Sequence, residues 1–173
     1  MCEGANELAI IRILIRNGLF KYSEDDLLGL TPYHARQIAP SGQVKAELNM
    51  FNGFVDVIRI GDKQADELKI PTDYKNKIVS QKRYCTKPEL EMLLIISEGL
   101  TKEFEKVKSK ERPKVFAKEN IVFEGKKYDG STSFYEIYFG NRPEYLCEVI
   151  RKYAQYNKSH GKEEHYLSEL LKK

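Results

Sequence analysis

The chain has 173 residues, a formal net charge of +3, and 41% hydrophobic, 32% charged and 11% aromatic residues. That is the make-up of one globular domain, or one with a small appendage, able to bury a core and with little room for long disorder. The slight positive balance permits a polyanionic partner without requiring one, because lysine and glutamate are interspersed.

Apolar runs around residues 8–15 and 92–96 are too short to span a bilayer, and no secretory leader is expected. Cys2, Cys85 and Cys147 are far apart and without paired metal spacing, which points to a reducing, cytoplasmic setting.

In chain order, Leu8, Ile11, Leu14 and Ile15 recur at three and four, predicting a helix over 5–17 that Asn17-Gly18 stops. Leu19-Phe20 suits a short strand, and residues 23–43 form a turn-rich segment with some short helix. Residues 44–52 read as a helix. "FVDVIRI" reads as a strand that Gly61-Asp62 end, and "KNKIVSQKRYCTK" contains a short strand or an extended loop.

Pro88 fits the first turn of a strong helix, "PELEMLLIISEGLTKEFEKVK". Beyond Lys110 the chain is rich in Tyr, Phe, Gly and Lys. A hairpin or loop is expected near Gly125, a helix after Ser131-Thr132, and two amphipathic helices at about 143–156 and 163–172. Helix and strand alternate over the first hundred residues, which predicts an α/β fold with a mainly parallel central sheet flanked by helices. Residues 1–110 would form that domain, and 111–173 a helical C-terminal extension packed on it.

Functional side chains of an open parallel sheet gather at the carboxyl ends of its strands. Glu3 lies there if the first strand ends at Cys2, and Asp62 if "FVDVIRI" is a strand; Asp66 follows one helical turn later. Glu89 and Glu91 open the "KPELE" segment, where negative charge also favours a helix start. Carboxylates converging from separate strand ends suit a hard cation such as Mg²⁺.

"CEG", then a glutamate early in an apolar helix, resembles the first motif of Toprim (topoisomerase–primase) domains, matched by Glu3, Gly4 and Glu7. "VDVIRIGDKQAD" resembles the later strand of that family that ends in an aspartate motif. "KPELEMLL" resembles the helix start of small Toprim-like nucleases related to the OLD group. The resemblance covers about the first hundred residues.

It implies a Mg²⁺- or Mn²⁺-dependent nuclease acting on DNA or RNA, often associated with mobile elements or phage defence. Glu3 and Asp62 would be catalytic, and Glu3, Glu7, Asp62, Asp66 and Glu91 would hold metal. The alternative is a catalytically silent module of that fold that binds nucleic acid or a protein partner.

His34, Arg36, Lys82, Arg83 and Lys87 are candidate phosphate contacts, and equally a local hydrogen-bonding histidine and a solvated charged face. Aromatic residues from Tyr128 to Tyr145 suit helix-packing core more than base stacking.

Overall fold

The leucine and isoleucine spacing near the start does make a helix: α1 spans Ala5–Arg16, buries Leu8, Ile11, Leu14 and Ile15, and ends where Gly18 takes a φ of +66°. In the computed structural model, which describes residues 1–62, 67–156 and 165–173, the chain continues as an α/β fold. The elements that follow are α2 (Gly42–Met50), β1 (Val55–Gly61), β2 (Ile78–Cys85), α3 (Met92–Ser97), α4 (Thr101–Val107) and α5 (Pro113–Asn120). A hairpin of β3 (Val122–Phe123) and β4 (Lys126–Lys127) comes next, then α6 (Thr132–Gly140), α7 (Pro143–Tyr156) and β5 (His165–Tyr166).

The strands β1, β2 and β5 form a parallel sheet in the order β1-β2-β5. Beyond β1 the sheet is extended by a single residue, because Cys2 bridges Ile60 on one side and His34 on the other, both in parallel sense.

Alternation along β1 sends Ile58 and Ile60 to a large core with α1, α3, α6 and α7. Val57 goes to a smaller core with Tyr33, Ile38, Val44 and Leu48. Both faces are covered, as parallel strands require. No helix among the described residues is long and apolar enough to cross a membrane.

Several elements differ from their sequence expectation. The long helix from Pro88 is two, α3 and α4, separated at Gly99, whose φ of +70° ends a helical run. Pro88 lies before α3, not in its first turn, and Glu89 beside it accepts the backbone N–H of Lys114 at 2.9 Å and so caps α5. The segment at residues 78–85, expected as a short strand or loop, is the central strand; its exposed Gln81 and Lys82 hid that role.

Leu19-Phe20 contributes only an antiparallel bridge from Phe20 to Leu171. The helix expected over 163–172 falls partly outside the described residues. Its described part is β5 and a 3₁₀ turn, Leu167–Leu170, which buries Leu167 and Leu170 as a helix face would. Segment 111–173 packs α6 on α1 and α7 on α3, sharing their core, and supplies β5 to the sheet.

Candidate functional site

Glu3 follows Cys2, so the parallel register sets it beside Gly61 at the carboxyl end of β1, with its N–H donating to the Ile60 carbonyl at 2.9 Å. Its side chain lies across Gly61: a Cβ there would stand 2.3 Å from Glu3 Oε2 and 2.5 Å from Cγ. Arg59 Nη2 donates to Glu3 Oε1 at 2.9 Å, and both side chains are buried. Gly4 makes a second opening, since a Cβ on it would stand 2.3 Å from Glu7 Oε2. The glycine between the two glutamates therefore lets the Glu7 carboxylate fold back over the start of α1.

Glu7 faces Thr86, a fully buried residue just after β2, whose hydroxyl donates to Glu7 Oε1 at 3.5 Å. Burial pushes the Glu7 carboxyl above its ordinary range, and the charges of Asp62, Glu91 and Glu3 push it further, against one stabilising backbone hydrogen bond. Asp62 follows β1 directly.

Glu91, in the turn before α3, is buried and accepts the Tyr128 hydroxyl at 2.9 Å; that hydroxyl also lies 3.2 Å from the Tyr135 hydroxyl. Burial raises the Glu91 carboxyl despite the Tyr128 hydrogen bond. Burial, then the Glu91 charge, likewise raises both tyrosine hydroxyls.

Four of the five expected metal-binding carboxylates, Glu3, Glu7, Asp62 and Glu91, therefore gather at one edge of the sheet, while Asp66 lies outside the described residues. Glu89 does not join them; it caps α5.

Of the expected phosphate contacts, exposed His34 bridges Cys2, and the Ala35 N–H donates to the Cys2 carbonyl at 3.0 Å, which brings exposed Arg36 to the same edge. Lys87 flanks the cluster just after Thr86. Arg83 and Lys82 sit further back on β2, roughly 7–10 Å from its end, so the five are not one patch.

Sequence reasoning missed Arg59, Thr86, Tyr128 and Tyr135. Arg59 reads as part of an apolar strand, and the tyrosines are far away in the chain, so no local signal marks them. It also missed Lys114 and Lys118: a Cβ on Gly130 would stand 3.6 Å from Lys114 Cε and 3.1 Å from Lys118 Cε. The Asn6 amide, beside Glu7, donates to the Gly130 carbonyl at 3.3 Å, so these lysines border the cluster.

Among the described residues, no three Asp, Glu, His or Cys side chains are placed to hold one ion together. The donors are nonetheless all oxygen, and a Mg²⁺ ion that keeps most of its waters takes only one or two protein carboxylates. No protein-family model, curated protein or solved structure matches this chain.

Proposed function

We propose that the chain is a Toprim-like enzyme that hydrolyses nucleic-acid phosphodiester bonds with Mg²⁺ or Mn²⁺. The observation that carries this reading is the gathering of Glu3, Glu7, Asp62 and Glu91 at the carboxyl edge of a parallel sheet, with the Glu7 carboxyl raised by burial and by the other three. Such crowding is relieved by a divalent cation. Glu7 and Asp62 are the pair that would hold it. The ion would supply a more acidic bound water and neutralise charge on the phosphate oxygens.

The chain's own groups have separate tasks. Arg59 fixes the Glu3 carboxylate against Gly61 in one orientation, from which it would accept a hydrogen bond from, and so orient, the attacking water. Tyr128 fixes Glu91 in the same way. Glu7, whose carboxyl is raised by burial and by its acidic neighbours, would bind the ion as the carboxylate, so metal binding is expected to release a proton and to strengthen as pH rises. Lys87, Lys114, Lys118, His34 and Arg36 border the edge and engage flanking phosphates.

The test is incubation of purified protein with single-stranded and duplex DNA and RNA, with Mg²⁺, with Mn²⁺ and with a chelator. Metal-dependent cleavage lost in Glu3→Gln and in Asp62→Asn supports the enzyme. Salt-sensitive binding without cleavage favours the silent module, a reading in which the buried Glu3–Arg59 pair is purely structural.

A further inference from the structure

Basic side chains stand on two sides of the carboxylate edge. On one side, the segment through His34 pairs in parallel with Cys2, on the flank of Cys2 that β1 does not occupy. Residues aligned in a parallel pairing send their side chains to the same face of the sheet. Cys2 and Ile60 belong to the large core, whereas Tyr33 and Ala35 belong to the smaller one. His34 and Arg36 therefore point to the face that carries α1, and both are exposed.

On the other side, Lys114 and Lys118 lie one turn apart on α5, exposed, and both reach over Gly130. Lys126 joins them, its Nζ donating to the Ser133 hydroxyl at 3.5 Å. The acid of that loop, Asp129, accepts the Ser131 N–H at 2.9 Å instead of pairing with a lysine. Among the described residues, none of His34, Arg36, Lys114, Lys118 and Lys126 is in an ion pair. Glu89, four positions after β2 ends, ties this group to the sheet by holding the Lys114 N–H. The order across the edge is thus Arg36 with His34, then Glu3, then Asp62, then Thr86, and last the lysines.

We propose that a nucleic-acid strand crosses this edge from one basic group to the other, so that the bond lying over the carboxylates is internal and cleavage falls within a polynucleotide, not at its end. The cleavage rests on the nuclease reading above; the path of the strand does not. From the His34 segment to β2 is three strand spacings, roughly 14 Å, too wide for one phosphate to touch both groups. A run of several phosphates spans it. Arg36 would engage phosphates on one side of the scissile bond, and Lys114 and Lys118 those on the other, fixing the strand without reading its bases. A site that trims ends blocks the strand beyond its last nucleotide, whereas both flanks here are exposed and basic.

Path and cleavage are read separately. With a chelator present, fluorescein-labelled single strands of DNA and RNA, about 20 nucleotides long, are titrated by anisotropy across a salt series. Arg36→Ala and Lys118→Ala change exposed side chains and keep the fold. Each is expected to weaken binding and to lower the slope of log affinity against log salt by about 0.7, the share of one phosphate contact on a single strand. The double variant should lower it by about twice as much. Lys106→Ala, at an exposed position of α4, should leave the slope unchanged. Absence of saturable binding, a slope indifferent to Arg36 or to Lys118, or one lowered as much by Lys106→Ala, overturns the path. With Mn²⁺, closed circles of single-stranded DNA and RNA are expected to be cut, and end-labelled linear strands to give internal fragments from the first turnovers. Release of mononucleotides from linear strands while circles stay intact overturns internal cleavage and leaves the nuclease reading standing. No cleavage of any substrate, by a protein that shows the two-sided salt dependence, contradicts the nuclease reading and supports the path alone.

Discussion

At Gly4 and Gly61 the space of a side chain is taken by a neighbouring carboxylate, and the two positions differ in what a methyl group would displace. At Gly61 an added Cβ meets Glu3 from Cγ to Oε2, and Glu3 is held by Arg59. Gly61→Ala is therefore expected to cost about 1–3 kcal/mol of stability by overpacking. A urea titration would read this as a lower midpoint at unchanged slope. At Gly4 the methyl meets only the end of the flexible Glu7 side chain, and a φ of −123° suits any residue. Gly4 is also the N-cap of α1, where alanine is disfavoured, so Gly4→Ala is expected to lower the midpoint modestly, by about 1 kcal/mol, while moving the Glu7 carboxylate.

Glu7 also sets a pH dependence. Its carboxyl is raised in the folded chain, so the folded state holds the proton more tightly. The stability this gives is complete below the ordinary carboxylate range and is lost as pH rises through the raised value. Glu7→Gln should accordingly raise the melting temperature at pH 8, by roughly 2–4 °C for each kcal/mol relieved. The gain should close as pH falls below about 4.3. A gain independent of pH would contradict the assignment.

At the scale of elements, what was legible depended on how far each pattern ran. The helices α1 and α7 repeat their apolar spacing over three or more turns, and both fell within a residue or two of the sequence reading. Positions set by tertiary partners were not legible. The strand β2 is central although its middle is polar, and β5 exists because His165 and Tyr166 pair with Tyr84 and Cys85 from far along the chain. Glu89 read as a charge at the start of its own helix, yet it caps α5, which begins 24 positions later at Pro113. Glu89→Ala should therefore cost roughly 0.5–2 kcal/mol, as for loss of a helix N-cap. It should leave metal binding unchanged, an outcome that separates Glu89 from Glu91.

Across the whole molecule, Glu3, Glu7, Asp62 and Glu91 were legible as an ordered set of acids in the first hundred residues. Their supports were not, since Tyr128 and Tyr135 reach Glu91 from the segment beyond residue 110. The core crosses the same boundary: Tyr135, Phe139, Leu146 and Ile150 are fully or almost fully buried with α1 and α3 in one cluster. A chain cut to residues 1–110 would expose Ile10, Leu14 and Leu93, and is expected to show no cooperative thermal transition. A sharp transition in that fragment would restore a self-sufficient first domain.

The central claim, that these carboxylates form a divalent-metal site, is tested most directly by titrating Mn²⁺ into the intact protein by calorimetry. The account predicts saturable binding that is lost in Asp62→Asn, weakened in Glu7→Gln and preserved in Glu89→Ala. Binding of equal strength in all four proteins, or none in the unmodified chain, would contradict it.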